Sequence, residues 1–476
     1  MLLMVACDDY DNWTSAPDAH LTFSCDSIRF DTLITGQSSS TQTLVVFNSS
    51  DAGLRRIHVA LDGASQSLFR INVDGQYLQD GVGDDFEIRR QDSIVVRAEV
   101  MLPVVGDTVI RHYEDRLVFT LENGRQQEVT LLADGMDVKI LRGKVIDADE
   151  TLEPGMPYLI YDSLVVAPGA TLFLDPGVKL LFHDDVSLHV YGSLKAFGTY
   201  DQPVVFRGDR MDRMFANLPY DNTPNHWGGI HFYAESHDNM LEHCDIHSGD
   251  YGIRCDSTAF ADPFMPILTM WNCVVHNIGG TGLALRSTKV QAVGCQISNC
   301  MHNCVDILGG DVFMLHCTIA QFFSMGVFGQ DALYLADLDE EERFVPIKQA
   351  HFVNCVITGY ADDVIMGHLA PETDEPCDYL FDHCFLRTVK SDDELRFVEC
   401  VYDSEDLEPN YHDHFVLFDT KDFLYDFSPW SHSIICTTGR ADYTTEFLPE
   451  DRRGRPFLIQ DDKSPCGAYA SVPKPD

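Results

Sequence analysis

Residues 271–285 read WNCVVHNIGGTGLAL, residues 293–307 VGCQISNCMHNCVDI and residues 315–329 LHCTIAQFFSMGVFG. Set one under another, each row has a Cys, an aliphatic residue two places on, a polar or Gly-bearing turn and a second short apolar run. Cys273, Cys295 and Cys317 follow at intervals of 22 residues, and Val275, Ile297 and Ile319 keep step with them. Leu283, Val305 and Val327 stand ten places after each Cys. Residues 241–255, LEHCDIHSGDYGIRC, form an earlier row, and NCVITGYADDVIMG from Asn354 and HCFLRT from His383 form two later ones. The wider intervals, 29 from Cys244 to Cys273, 38 from Cys317 to Cys355 and 29 from Cys355 to Cys384, are the same repeat with loops inserted. One such row is too short to bury a core. Stacked rows share one, with like residue above like at the strand spacing of about 4.8 Å, which predicts a β-solenoid.

The repeat places Cys244, Cys273, Cys295, Cys317, Cys355 and Cys384 in one column. A thiol is small and apolar enough for a narrow interior, so the column is expected to be packing, with reduced, buried thiols. A zinc array would need close Cys pairs in each row. Only Cys300 and Cys304 come near that, and no second pair lies beside them. Replacing one ladder Cys by Ser is expected to cost about 1–3 kcal/mol, since a hydroxyl would replace the thiol without a partner.

A chain of 476 residues is too long for one core, so at least two domains are expected. The balance of 33 basic against 75 acidic residues, net −42, argues against nucleic acid as a partner and against polyanionic glycans unless divalent cations bridge them. There is no apolar run of membrane-spanning length. The opening MLLMVACDD ends an apolar stretch at Ala6-Cys7 and resembles a bacterial lipobox with Cys7 as the lipidated residue. Its missing basic segment implies a start further upstream. Asp8 and Asp9 resemble the export signal of surface-displayed lipoproteins, so a lipid-anchored, outer-membrane, cell-surface address is expected.

Residues 8–20 read as a polar tether. Residues 21–137 carry short β-type runs such as Leu44–Phe47, Arg56–Leu61, Ser93–Val100, Asp115–Thr120 and Glu128–Leu132, separated by Asp74-Gly75, Gly83-Asp84 and Asn123-Gly124. That spacing predicts a sandwich of immunoglobulin type, without its Cys–Trp–Cys pattern. Residues 138–470 are expected to be the solenoid with a C-terminal cap. The stretch PGV (176–178), GSLKAFGT (192–199), WGGIHF (227–232) and the Cys rows resemble the right-handed parallel β-helix of the pectate-lyase-like superfamily. Phe427-Ser428-Pro429, residues 451–455 (DRRGR) and Gly467-Ala468-Tyr469 resemble the ending of many bacterial surface β-helix proteins. The resemblance implies an all-β protein, a sandwich followed by a β-helix, of a kind recurrent among surface lipoproteins. It also implies a stacked Asn column in one turn, which the Cys column here would replace.

The superfamily hosts lyases, hydrolases, adhesins and stalks, so function must come from the site. Arg-x-Pro-x-x-Arg, Gly-His-Gly and Arg-Ile-Lys are missing. Asp362-Asp363 with Gly367-His368 reads as a surface turn. Acidic loops at Leu338–Glu342 and 371–376 are expected on the rim. His243, Asp245 and His247 alternate along one strand, and His276 holds the matching position of the next row. If they face outward together they suit zinc or a similar borderline ion, and solvated strand side chains are the plain alternative. His231, Arg254, Ala284, Asp306 and Phe328 form a second column, whose mixed polar and aromatic groups suit a glycan. Two function classes remain: a non-catalytic surface protein binding a neutral or Ca²⁺-bridged glycan, or a polysaccharide lyase or glycoside hydrolase.

Overall fold

The computed structural model describes residues 12–215, 217–257, 265–325, 330–370, 377–403 and 414–474. It divides into two compact units, Met1–Val138 and Lys139–Asp476.

The first unit is a β-sandwich. One five-stranded sheet runs in the order Thr22–Phe23, Gln42–Asn48, Asp92–Val100, Phe69–Val73, Gln76–Tyr77. The other runs Ser27–Ile34, Gln126–Met136, Arg111–Thr120, Leu54–Leu61, Val82–Ile88. Alternation along each strand turns one set of side chains inward. Leu44 and Val46 of the first sheet and Ile57 and Val59 of the second share one core.

The second unit is a parallel β-helix, with twenty-six strands in its sheet among the described residues, each paired with its counterpart one coil away. A coil has three faces. Gln296–Cys300 lies on what we term the thiol face. Val305–Leu315 supplies both other faces, bending at Gly309 and Gly310, whose φ values of +63° and +99° a side chain would disfavour. The first half of that long strand lies on the platform face, the second half on the third face.

The six predicted ladder cysteines share one register position and are fully buried, and Cys400, half-buried, extends the column as a seventh. All are free thiols. Burial pushes the thiols of Cys244, Cys273, Cys295, Cys317 and Cys384 well up, keeping them protonated. The column does not replace the turn asparagines. The residue before each Cys adopts the left-handed conformation, from His243 (+47°) and Asn272 (+54°) to His316 (+50°), Asn354 (+51°) and His383 (+53°). Asn272 and Asn354 therefore stand in the turn, and Cys opens the strand behind it. Nor do the thiols lack partners: Cys273 Sγ lies 3.3 Å from both Trp271 O and Leu241 O, one carbonyl in its own coil and one in the coil before.

The fixed offset of ten after each Cys breaks after Val305. Val327 and Phe328 lie outside the described residues, and the register partners of Val305 and Asp306 are Leu333 and Tyr334. An insertion between strands shifts the row without disturbing the stack.

Residues 414–474 fold back along the thiol face of the later coils. Phe415, Phe418 and Phe427 pack on Ala320, Val356 and Phe385. Gly467 N–H donates to Asn354 O at 2.7 Å, Ala468 N–H to Thr318 Oγ1 at 2.9 Å, and the Tyr469 hydroxyl reaches Gln296 Oε1. At the corner, buried His316 donates from Nδ1 to Gly467 O at 3.2 Å, and its Nε2 meets the Thr444 hydroxyl at 2.8 Å. Burial pushes its pKa down to about 4, so the ring is neutral.

Candidate functional site

On the platform face one outward register position holds His189, His231, Arg254, Ala284, Asp306, Tyr334 and Met366 in successive coils. Tyr191 and Tyr233 stand two places after His189 and His231. Their rings stack with centroids 4.0 Å apart, and His231 lies on Tyr233 at 3.7 Å. His189 Nδ1 is 3.0 Å from the Tyr233 hydroxyl. His231 Nε2 donates to Asp256 Oδ2 at 2.8 Å, and Arg254 Nε donates to the other oxygen at 3.2 Å. Burial lowers the His231 pKa, with Asp256 opposing, and burial together with Tyr191 raises the Tyr233 phenol to about 12. The result is a half-buried aromatic shelf with a polar rim, on which Arg254 remains half exposed.

Two expected members of this column are absent from the shelf. Asp306 is held bidentate by Arg286, at 2.9 Å on each oxygen, so it offers no free carboxylate. Phe328 lies outside the described residues, and Tyr334 takes its register position. Tyr191, Tyr233 and Asp256 were missed, although V-Y-G (190–192) and F-Y-A (232–234) repeat at one offset and mark the two tyrosines.

The thiol face carries a second constellation. Asp245 and His247 project outward from Cys244–His247, and His276 is the register partner of His247. Asp245 Oδ1 lies 2.9 Å from His247 Nδ1 and 3.2 Å from His276 Nε2. His247 Nε2 lies 3.3 Å from Asp221 Oδ1, and Arg207 pairs with that same oxygen at 2.5 Å. Burial alone would lower the His247 pKa; Asp245 and Asp221 outweigh it and raise the ring to about 9. Burial likewise opposes ionisation of Asp245, but His247 and His276 hold its carboxyl well below the usual range.

His243 does not join this group. Its backbone is left-handed, and its Nε2 lies 3.3 Å from Asn272 Nδ2. The strand alternation that would have aligned it with Asp245 begins only at Cys244. Arg207 sits on the preceding coil, Val204–Gly208, and Asp221 comes from the insertion after it, so neither showed a local signal.

The remaining residues singled out above have structural partners or lie elsewhere. Asp362 pairs with Arg387 at 3.1 Å and Asp363 accepts from the Thr388 hydroxyl at 2.7 Å. Asp339 is held by Arg343 at 2.7 Å. Cys300 and Cys304 are buried in the helix interior. Cys7 and residues 371–376 lie outside the described residues.

Residues 217–326, fewer than half of the chain, match the family described as right handed beta helix region. The chain is thus all-β, a sandwich followed by a right-handed parallel β-helix. No curated protein matches it. Among solved structures, the catalytic unit of a thermostable GH87 alpha-1,3-glucanase from Streptomyces thermodiastaticus is similar at 12% identity, covering 72% of this chain and 74% of that one, with a TM-score of 0.30. A family 123 glycoside hydrolase from Clostridium perfringens is similar at 8% identity over 25% of each chain, with a TM-score of 0.18. This chain thus spans a quarter of that enzyme. The PapD-like domain 7 of human CEP192 is covered whole by 29% of this chain, at 14% identity and a TM-score of 0.18. Likenesses this small bear on no activity. Among the described residues no helix is long and apolar enough to cross a membrane.

Proposed function

We propose that this protein is a lipid-anchored bacterial surface protein whose β-helix binds a neutral glycan on the platform face, without turning it over. The stacked Tyr191–Tyr233–His231 shelf carries the reading. Aromatic faces bury the apolar C–H side of a sugar ring, and rim groups such as Asp256 and Arg254 meet its hydroxyls. The net charge of −42 disfavours an anionic chain unless Ca²⁺ bridges it. The anchor is Cys7, at the junction that resembles a lipobox, and the immunoglobulin-like sandwich serves as the spacer between membrane and helix.

A glycan array on the chain lacking residues 1–7 tests the binding. Neutral glycans are expected to bind indifferently to chelator and moderate salt, and Tyr233→Ala to weaken binding roughly tenfold, about 1.4 kcal/mol. Binding unchanged by Tyr233→Ala, or tight chelator-independent binding of a polyanion, overturns it. For the anchor, Cys7→Ser is expected to move the protein from membrane to soluble fraction in a Gram-negative host.

One observation favours the second reading, a glycoside hydrolase or polysaccharide lyase. Burial raises the Asp250 carboxyl, and the charges of Asp185 and Asp184 add to it, at the corner leading into a platform strand. A raised carboxyl is the environment of a general acid. Turnover of any bound glycan, abolished by Asp250→Asn with binding retained, would place the protein there.

A further inference from the structure

We infer that Asp245, His247 and His276 form a divalent-metal site of the zinc class on the thiol face, separate from the proposed glycan platform. The three donor atoms lie within 4.8 Å of one another. Asp245 Oδ1 is 2.9 Å from His247 Nδ1 and 3.2 Å from His276 Nε2. In a tetrahedral site with bonds of about 2.0–2.1 Å, neighbouring donors stand about 3.3–3.4 Å apart. The two shorter edges already approach that figure, so a small side-chain adjustment seats an ion.

The surroundings supply a second, independent observation. When Nδ1 of His247 ligates, Nε2 must carry the proton, and a carboxylate is in place to accept it: Asp221 Oδ1, at 3.3 Å. Asp221 is held in turn by Arg207 at 2.5 Å. A carboxylate behind a ligating imidazole, fixing its tautomer and orientation, is the usual support of such sites. The His247 ring is nearly buried, which limits its swing, and the Trp227 indole N–H donates to the His247 carbonyl at 2.7 Å and holds the backbone beneath it. Two imidazole nitrogens select a borderline ion over calcium, which takes oxygen ligands.

The site keeps one side open. The Asp245 and His276 side chains remain 32% and 25% exposed. The C-terminal segment that covers this face in later coils touches Gln296 through Tyr469 and meets the coil of His276 at its corner, where Arg452 Nε donates to Asn272 O at 3.2 Å. Three protein ligands with a fourth position facing solvent can take water or a ligand oxygen.

The test uses the full chain, stripped with chelator, and adds Co²⁺ or Zn²⁺ in the presence of excess Ca²⁺ to occupy the acidic surface. One equivalent of Co²⁺ is expected to bind with the visible absorption of a four-coordinate ion, and Zn²⁺ to displace it and raise Tm. His276→Gln keeps a polar side chain at a part-exposed position, so it should fold, yet it is expected to weaken binding by about tenfold or more. Asp221→Asn, behind the ligand, is expected to weaken it less and leave the absorption band in place. Absence of stoichiometric binding, or binding that survives both His276→Gln and Asp245→Asn, overturns the site.

Discussion

The C-terminal segment leaves one half of the thiol face uncovered and covers the other, and the two halves are built from equivalent strands of successive coils in one register. In the uncovered half its outward side chains are Arg207, Asp245, His247 and His276. In the covered half the positions that continue the His276 column are Ser298 and Ala320, and the column of Asp245 continues through Thr318, Val356 and Phe385. These later residues are fully buried although they point away from the helix interior, because residues 414–474 lie on them. A β-helix thus does not dictate what its outer face is for. Where a segment returns to cover the sheet, small and apolar residues make a second core. Where the cover stops, charged groups from successive coils are left to pair with one another.

If this contrast is right, the covered half should be the more sensitive to truncation. Phe427 belongs only to the second core, and Phe427→Ala is expected to cost about 3–5 kcal/mol in denaturant unfolding. A loss near zero would mean that the returning segment is not packed on the sheet.

The two halves should also respond oppositely to pH. His316 in the covered half has its pKa lowered to about 4 in the folded chain, against an ordinary 6.5. The unfolded chain therefore takes up its proton first, so this contribution is whole above about 6.5 and is lost as pH falls toward 4, by roughly 3 kcal/mol in all. His247 in the uncovered half is raised to about 9. In the metal-free chain its contribution is present below about 6.5 and is lost as pH rises through 9. Unfolding across pH should show His316→Gln flattening the acid limb and His247→Asn flattening the alkaline limb. The same limb affected by both variants would erase the distinction.

The interior ladder should be least sensitive, and equally so in both halves. The thiols of Cys273 and Cys317 each already face two carbonyls, so a serine hydroxyl there inherits partners. Cys317→Ser is expected to cost about 1 kcal/mol, at the bottom of the range for an unpartnered hydroxyl. Thiol labelling of the folded protein should leave Cys273, Cys295 and Cys317 untouched while exposed Cys25 reacts.

How far the sequence could be read follows from what each contact depends on. The Cys column, the coil and the inward aliphatics were legible because a core shared between rows demands the same kind of residue at the same place in every row. His247 over His276 was legible for the same reason, as both keep one offset from the ladder. His243 was misplaced because the left-handed turn before Cys244 interrupts the alternation that was extended through it. Asp221 against His247 and Tyr469 against Gln296 could not be foreseen. They join residues 26 and 173 positions apart through an insertion and a returning segment that follow no period. Periodicity in the chain determined the stack, since each coil meets only its neighbours. Which outer faces are covered, and which polar groups meet on the open ones, was decided by the tertiary path of the non-repeating segments, because only the folded chain brings them over the sheet.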